Sequence, residues 1–348
     1  MSDNLADRIL DTNKPPTVIA EMSGNHAQSY ETAETIVRLA AKSGADAVKL
    51  QTYTADTLTL PSKNEEFMVR GGLWDGRSLY ELYQEAATPY EWHEPLAKLA
   101  RSLSIEILST PFDETSVDFI EETLQPQIYK VSSFEVTHIP LLEKVGQQKK
   151  LTLLSTGMAT EGEIEEAIAA LKDNGCPDVV LLKCISSYPA QPKSFNLNSI
   201  TTLAKRFNCP TGLSDHCITN EIAIASVALG ARVIEKHFTD DRAAGGIDAG
   251  FSIEPDEFAQ LVTQARNTHA ALGCSQVGTT QQDVDQTKFR RSIYVSKNIN
   301  KDEILSIDNL KIVRPSFGLP PKEWKNILGK RANKHLEAGT PLKQEDIL

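Results

Sequence analysis

Two histidines of this chain stand where a pair of metal ligands could stand. His216 and His237 each end a short apolar run that is typical of a β-strand, in the sequences GLSDH and VIEKHF. In a barrel of parallel strands the carboxyl ends of all strands meet at one mouth, so the two imidazoles are expected to be neighbours. With Asp215 and Glu235 nearby in the sequence, they could form an open site for a divalent transition metal that leaves positions for water and substrate.

A structural alternative exists for either histidine, because a buried imidazole can also serve only as a hydrogen-bonding group inside the protein core. The presence of two histidines at neighbouring strand ends favours the metal site over that alternative. A closed structural zinc site is not expected, since the five cysteines include no C-x-x-C pair.

Basic and hydroxyl side chains recur at the ends of the other strand-like runs. They are Lys49, Thr110, Lys130 with Ser133, Ser155 with Thr156, Lys183 with Ser186 and Tyr188, Ser214, and Lys236; the acidic Glu21 and the amide Gln51 stand at strand ends with them. A small phosphate or phospho-carboxylate ester needs this combination, because ammonium groups offset its charge and short hydroxyl donors fix its oxygens. One hydroxyl alone is uninformative, because Ser and Thr also favour turns for backbone reasons. Glu21 could act as a general acid or base, or be the ion-pair partner of a lysine.

The elements that would position these side chains alternate between strand and helix. Strand-like runs lie at Thr17–Ala20, Ala47–Gln51, Ile105–Ser109, Ile128–Ser132, Leu151–Ser155, Val179–Cys184, Thr211–Ser214 and Val233–His237. Helical periodicity fills most of the gaps, as at Tyr30–Ser43, Glu91–Ser102, Thr160–Asp173 and Asn220–Leu229. This α/β pattern predicts a (β/α)8 TIM barrel. An open doubly wound sheet usually has fewer repeats and a glycine-rich first loop, whereas the loop here, EMSGNH, has one glycine.

The segment from Thr52 to Tyr90 is too long for a simple connection between a strand and a helix. It and the residues that follow contain several aromatic side chains, namely Trp74, Tyr80, Tyr83 and Trp92. We interpret the segment as a substrate lid over the barrel mouth.

A change of composition predicts a second, smaller domain. We assign residues 1–275 to the barrel, 276–288 to a polar linker and 289–348 to a β-rich C-terminal domain with strands at Ser292–Val295 and Leu310–Val313. About sixty turn-rich residues can hardly contain a catalytic cleft, so this domain is expected to bind, cover or dimerise.

Bulk composition narrows the possible partners and compartment. The 348 residues carry a net charge of -11, which argues against binding to nucleic acid or to an anionic membrane. No apolar run approaches the roughly 18 residues of a membrane span, and the first residues do not read as a signal peptide. The odd number of cysteines, five, argues against a disulfide framework and favours the reducing cytoplasm.

Several ordered motifs identify a family. AEMSGNH, GADAVKLQTYTADTLT, LSTPFD, YKVSSFE, STGMAT, SSYPA, GLSDH, EKHF, FRRSIYV and VRPSFGLPP together resemble the sialic acid synthases with a C-terminal antifreeze-like (SAF, β-clip) domain. The resemblance covers nearly the whole chain. Within the family, KLQTYT, LYELYQEAATPYEWH and FSIEP are most similar to the pseudaminic acid synthase group.

The resemblance implies an activity. Phosphoenolpyruvate would condense with 2,4-diacetamido-2,4,6-trideoxy-altrose to give a nonulosonic acid and phosphate. An N-acetylneuraminate or legionaminic acid synthase, using N-acetylmannosamine or a diacetamido-trideoxy-mannose, is the alternative within the family. A remote alternative is a sugar-binding protein without catalytic activity, whose small domain is the recognition module.

The resemblance also implies roles for single residues. Phosphoenolpyruvate would be held by Lys49, Thr110, Lys130, Ser133, Ser155 and Ser214. His216 and His237 would bind a divalent metal, with Mn expected and Mg or Co open, and Glu21 would be the acid/base residue. Ser186, Tyr188, Asp248 and Arg314 would serve the sugar, with Arg314 reaching a partner's barrel in a domain-swapped homodimer. Ser186 departs from the Asn that N-acetylneuraminate synthases often have, which leaves that contact open.

Overall fold

A computed structural model describes residues 4–275 and 277–348. The first three residues of the expected barrel domain and Gln276 of the expected linker lie outside the described residues. The chain divides into two compact units, Met1–Gly273 and Cys274–Leu348.

The first unit is built on an eight-stranded parallel sheet, in the order β3-β2-β1-β8-β7-β6-β5-β4. The strands are β1 (Thr17–Glu21), β2 (Ala47–Thr52), β3 (Glu106–Pro111), β4 (Ile128–Val131), β5 (Leu151–Ser155), β6 (Val179–Cys184), β7 (Thr211–Asp215) and β8 (Val233–His237). The end strands β3 and β4 are also in contact, so the sheet closes on itself. This confirms the predicted (β/α)8 barrel, with strand bounds within two residues of the predicted runs.

Helices connect successive strands. The first unit contains α1 (Leu5–Leu10), α2 (Tyr30–Lys42), α3 (Ala55–Leu58), α4 (Leu79–Ala86), α5 (Tyr90–Ser102), α6 (Glu114–Thr123), α7 (Ile139–Gly146), α8 (Glu161–Asp173), α9 (Ser199–Phe207), α10 (Glu221–Ala228) and α11 (Pro255–Leu272). Side-chain caps define several starts, as where Ser29 accepts from the backbone of Thr32 at 3.2 Å to begin α2. Among the described residues, no helix is both long and apolar enough to cross a membrane.

Side chains of each strand alternate between two apolar cores. Val18, Ala20, Val48 and Leu50 face outward and belong to the core between sheet and helices. Inward positions near the start of the strands, such as Ile19, fill the barrel interior. The inward positions at the carboxyl ends are mostly polar, because the same period-two alternation continues through the strand ends. The polar side chains at the carboxyl ends therefore rest directly on the packed apolar interior of the barrel.

Helix α1 closes the amino-terminal end of the barrel, a feature that the sequence did not predict. Leu5 and Ile9 pack against the interior cluster. The Arg232 guanidinium ties the helix to the barrel by donating to backbone carbonyls of Arg8, Ile9 and Asp11. One end of the barrel is thus packed shut, which leaves the carboxyl end as the open face.

The second unit is small and mostly irregular. It contains α12 (Gln281–Gln286), β9 (Ser292–Val295), β10 (Leu310–Val313) and α13 (Trp324–Ile327), with β9 and β10 paired antiparallel. Ile293, Leu305, Leu310 and Leu342 are among the residues of its own apolar core. The stretch expected to be a linker includes α12, which is exposed.

Candidate functional site

A cavity of about 540 Å³ opens at the carboxyl ends of the barrel strands. Pockets that bind small metabolites usually enclose ~300 to 1,000 Å³, so this one could hold two small substrates side by side. Its residues from strands and short loops are Glu21, Ser23, Lys49, Gln51, Thr110, Phe112, Lys130, Ser132, Ser133, Phe134, Glu135, Ser155, Cys184, Tyr188, Ser214, His216, Glu235, His237, Ile247 and Asp248. The long connection between β2 and α5 supplies Tyr53, Leu58, Val69, Trp74, Leu79, Leu82, Tyr83 and Ala86.

Four charged side chains form the floor of this cavity. The Lys49 ammonium lies 2.7 Å from the Glu21 carboxylate and 3.9 Å from that of Glu235. The Lys130 ammonium lies 3.6 Å from Glu235. All four side chains are buried, so their charges are balanced mainly by one another and not by water.

Burial perturbs the protonation of these groups. The pKa of Glu21 is raised to about 7, chiefly by burial; the Lys49 cation opposes the shift and the Glu235 carboxylate adds to it. Burial lowers the pKa of Lys130, and Glu235 opposes that change. Burial also opposes charge on Lys49, but Glu21 and Glu235 outweigh it and raise the Lys49 pKa. Glu21 is therefore a carboxyl group that gains or loses its proton near neutral pH, as acid–base chemistry requires.

Hydroxyl groups surround the two lysines. Lys49 donates to Thr110 Oγ1 at 3.0 Å, and Ser214 Oγ donates to Glu235 at 3.1 Å. Ser133 Oγ accepts the backbone N–H of Gly157 at 3.1 Å. Ser155 Oγ is buried and has no hydrogen-bond partner within the described chain. An unmatched buried hydroxyl in the same cavity as two ammonium groups is suited to an oxygen atom of a ligand.

The two predicted metal ligands are neighbours, as the sequence indicated. The His216 and His237 rings lie 5.2 Å apart between centroids. His216 Nδ1 lies 2.8 Å from the Ile185 carbonyl; donation there from a neutral ring leaves Nε2 with a lone pair. The pKa of His237 lies well below its ordinary value, mainly because the ring is buried and secondly because His216 is close to it. His237 Nδ1 has no hydrogen-bond partner within the described residues.

These two imidazoles fit a divalent transition metal as a pair of nitrogen ligands. Within residues 4–275 and 277–348, no group of three or more His, Cys, Asp or Glu side chains is arranged to hold a metal ion. A metal bound by this pair would thus have most of its coordination positions filled by water or substrate. Burial opposes charge on His216, but the Cys184 side chain and the Ile185 carbonyl raise its pKa. A metal ion there would therefore compete with a proton.

Asp248 and Tyr188 stand beside the histidines. An Asp248 oxygen lies 3.8 Å from His237 Nδ1 and accepts a hydrogen bond from Ser23 Oγ. Burial raises the pKa of Asp248. The Tyr188 ring lies 4.5 Å from the ring of His216. Both residues are placed to contact a molecule that binds next to the two imidazoles.

Some expected strand-end residues lie outside the cavity lining, because alternate side chains of a strand face opposite sides. Lys236 points away from the interior and pairs with Asp215 at 2.7 Å, and neither side chain lines the cavity. Lys183 and Thr156 are also absent from the lining. A side chain can stand at the end of a strand and still face the helices.

Ser186 and Arg314 are the other two residues expected to contact the sugar. Ser186 is not among the lining residues, and its hydroxyl lies behind Gly157 with no hydrogen-bond partner in the described chain. Arg314 directly follows β10 in the second unit. The sequence did not indicate the position of Glu235 between the two lysines, or the contact of Ser23 with Asp248. The position of Glu235 could have been found from the alternation of β8, because Glu235 stands two residues before His237 and therefore faces the same side of the strand.

The segment expected to be a lid contributes to the cavity. The Trp74 indole donates to the Ile247 carbonyl at 3.0 Å, and Tyr83 also lines the cavity. Tyr80 instead donates to Asp56 at 2.9 Å. Trp92 lies on α5, where it packs edge-on against His26 and Tyr30. Trp92 is therefore part of the helix packing and does not line the cavity.

Comparison with known proteins agrees with this architecture. The NeuB family model matches residues 36–277, and the SAF domain model matches residues 290–348. A pseudaminic acid synthase from Campylobacter jejuni is 44% identical over 336 residues, 97% of this chain and 98% of that protein. An N,N'-diacetyllegionaminic acid synthase from Legionella pneumophila is 36% identical, over 95% of this chain and 94% of that protein.

A solved structure extends the comparison. The crystal structure of an N-acetylneuraminic acid synthetase from Leptospira borgpetersenii, in complex with citrate, has a TM-score of 0.70 and 31% identity. The match covers 79% of this chain and 90% of that one. Sequence and structure thus point to the same group of proteins, and the chain belongs to the NeuB family and carries a C-terminal SAF domain.

Proposed function

We propose that this protein is a pseudaminic acid synthase. It condenses phosphoenolpyruvate with 2,4-diacetamido-2,4,6-trideoxy-altrose and releases phosphate. The observation that carries the proposal is the cavity floor, where Lys49 and Lys130 lie among four hydroxyl side chains in a barrel of the NeuB family. The higher identity to a pseudaminic acid synthase, 44%, than to a legionaminic acid synthase, 36%, supports this choice of sugar.

Phosphoenolpyruvate would bind at the floor. Its negative charges require cations, which Lys49 and Lys130 supply in a setting where burial strengthens the attraction. Thr110, Ser133 and Ser155 would donate hydrogen bonds to its phosphate and carboxylate oxygens. Ser214 would join them by turning its hydroxyl away from Glu235, to which it donates in this structure. The unmatched hydroxyl of Ser155 supports this assignment, since a ligand oxygen would complete its hydrogen bonding.

His216 and His237 would hold a divalent metal ion, with Mn as the first choice and Mg or Co as alternatives that metal titration distinguishes. When bound, such an ion would act as a Lewis acid on the aldehyde of the open-chain sugar. Tyr188 and Asp248, which lie against the two imidazoles, would contact the sugar and orient it.

The remaining chemistry is positioning and proton transfer. Carbon C3 of phosphoenolpyruvate forms a bond to the aldehyde carbon with the electron pair of its C2–C3 double bond, and the aldehyde oxygen takes up a proton to become a hydroxyl. Water adds at C2 and loses one proton. The C–O bond to phosphate then breaks, C2 becomes the keto carbon, and the remaining proton of the added water leaves with the phosphate. Glu21 lies 2.7 Å from Lys49 on the floor, where its ionised carboxylate would accept the proton of the attacking water. Holding both substrates at one mouth converts their encounter into a reaction between bound groups.

The proposal has three further parts. Ser186 and Arg314 contact the sugar, the protein is a homodimer, and it is located in the cytoplasm. Arg314 would reach the barrel mouth of a partner subunit, so an Arg314→Ala variant should lose sugar use and keep phosphoenolpyruvate binding. The five cysteine side chains are unpaired, which supports a reducing compartment. Light scattering tests the dimer directly.

A phosphate-release assay tests the catalytic proposal. The purified chain, freed of metal and resupplied with Mn, should release phosphate from phosphoenolpyruvate only when the altrose-configured sugar is present. Lys130→Met should abolish release, while Lys98→Met, at an exposed ion pair with Glu94, should not change it. Sugar binding without any phosphate release would favour the non-catalytic alternative.

A further inference from the structure

One wall of the cavity is apolar and comes from a single segment. The connection between β2 and α5 supplies eight of the lining residues: five aliphatic side chains, Trp74, and two tyrosines whose rings are apolar and whose hydroxyls are polar. Those eight include Leu58, Val69, Trp74, Leu79, Leu82 and Tyr83. The charged lining residues come from the strand ends and from the loops after β4 and β8. The cavity is thus divided between a charged floor and an apolar wall.

Hydrogen bonds and ring contacts fix this wall in position. Trp74 donates to the Ile247 carbonyl in the loop after β8, and its ring lies 5.7 Å from that of Tyr188. At the other end of the wall, the Gln28 amide donates to the Glu85 and Ala87 carbonyls at the end of α4. The segment is therefore anchored on both sides of the cavity mouth, and its side chains face the space beside the proposed sugar contacts.

The chemistry of the wall decides which sugar substituents can face it. A hydroxyl group pressed against Leu and Val side chains loses its bonds to water and gains no partner, which is unfavourable. A methyl group in the same place gains burial of apolar surface. The wall therefore favours a sugar in which a hydroxymethyl group is replaced by methyl and whose amino groups carry acetyl methyls.

We propose that this wall is the specificity subsite of the enzyme, and that it selects amino sugars with a 6-deoxy end over their 6-hydroxy counterparts. The proposal rests on the proposed function for the view that the second substrate is an acetylated amino sugar. It adds which residues distinguish the two classes and through which group of the sugar.

The first test uses the unaltered protein with two matched pairs of sugars. Each pair has one configuration, altrose or mannose, and differs only in methyl or hydroxymethyl at C6. We expect turnover with the altrose pair, and within it the 6-deoxy member to be favoured at least ~10-fold in kcat/KM, the usual effect of one apolar group in a pocket. Equal use of both members of the better pair would overturn the proposal.

Two variants locate the effect in the wall. Val69→Thr adds a hydroxyl with little change in volume, and Leu79→Asn places an amide in the wall. We expect each to reduce the preference for the 6-deoxy sugar, by about threefold and tenfold respectively. Leu60→Asn is the matched control, because Leu60 belongs to the same segment but is 62% exposed and absent from the cavity lining.

The outcomes separate this inference from the proposed function. Turnover of the altrose pair without a 6-deoxy preference would leave the proposed function standing and remove the subsite. Turnover of the mannose pair alone, with its 6-deoxy member preferred, would remove the proposed choice of sugar and keep the subsite. Thermal melts check that the variants fold, and an unchanged preference in both folded variants would also overturn the proposal.

Discussion

Gly157 offers a sensitive test of how the hydroxyls around the cavity are positioned. It follows β5, and its backbone N–H donates to Ser133 Oγ at 3.1 Å. A Cβ atom at this position would collide with Ser186 Oγ and lie 2.8 Å from Ser133 Oγ. Real Cβ atoms essentially never approach another heavy atom so closely. A Gly157→Ala substitution must therefore displace both serine side chains.

The expected cost follows from these contacts. Forcing a methyl group into a packed site destabilises a protein by about 1–3 kcal/mol. Losing the hydrogen bond to Ser133 leaves a partly buried backbone donor unmatched, which adds less than the ~1–3 kcal/mol that a fully buried donor would cost. If Ser133 binds phosphoenolpyruvate, its displacement should lower kcat/KM for that substrate by roughly 10- to 100-fold, since ~1.4 kcal/mol is tenfold.

Phosphate release at varied phosphoenolpyruvate concentration, together with thermal melts, measures both effects. Gly162→Ala is the matched control, because no atom lies within 4 Å of the Cβ that it would add on α8. The double variant Gly157→Ala/Ser186→Ala removes one collision and should regain stability more than kcat/KM, since the contact with Ser133 remains. An unchanged kcat/KM for phosphoenolpyruvate in folded Gly157→Ala would refute the role given to Ser133.

Three further predictions concern ionisable side chains. His237→Ala should abolish Mn-dependent turnover and weaken Mn binding measured by electron paramagnetic resonance, and unchanged Mn affinity would contradict the ligand assignment. The Glu21 pKa is raised to about 7, and the carboxylate must be ionised to accept a proton, so kcat should fall as the pH drops below about 7. The Glu21→Gln variant should lack this fall in kcat. The same pH profile of kcat in both proteins would assign the fall to another group. Lys236→Met leaves Asp215 as an unpaired buried charge, so chemical denaturation should show a loss of about 3–5 kcal/mol in the free energy of unfolding. Lys98→Met, which removes an exposed ion pair, is the control and should change the free energy of unfolding little.

The barrel could be predicted from the sequence because its strands are buried on both faces. Such strands read as continuous apolar runs, and the runs at Leu151–Ser155, Val179–Cys184 and Val233–His237 match β5, β6 and β8 residue for residue. The polar residues at the ends of these runs could also be recognised, because they interrupt an otherwise apolar stretch. The capping helix α1 was missed, because six residues give too short a periodic pattern to distinguish from a coil.

Within the site, sequence position showed which residues stand at strand ends but not which way each side chain faces. Lys49 and Lys130 face the cavity, whereas Lys183 and Lys236 do not, and the difference is one of alternation along each strand. The placement of Glu235 between two lysines depends on β1, β2, β4 and β8 coming together. The apolar wall has no local signature, since its residues are spread over an irregular connection.

The most direct test of the proposed function is the product formed from phosphoenolpyruvate and three sugars offered in parallel with Mn. The sugars are 2,4-diacetamido-2,4,6-trideoxy-altrose, its manno isomer and N-acetylmannosamine, and the readouts are phosphate release and the mass and NMR spectrum of the product. We expect release with the altrose sugar alone, with pseudaminic acid as the product. Faster release with either of the other two sugars would contradict the assignment, and release with none would contradict the synthase activity itself.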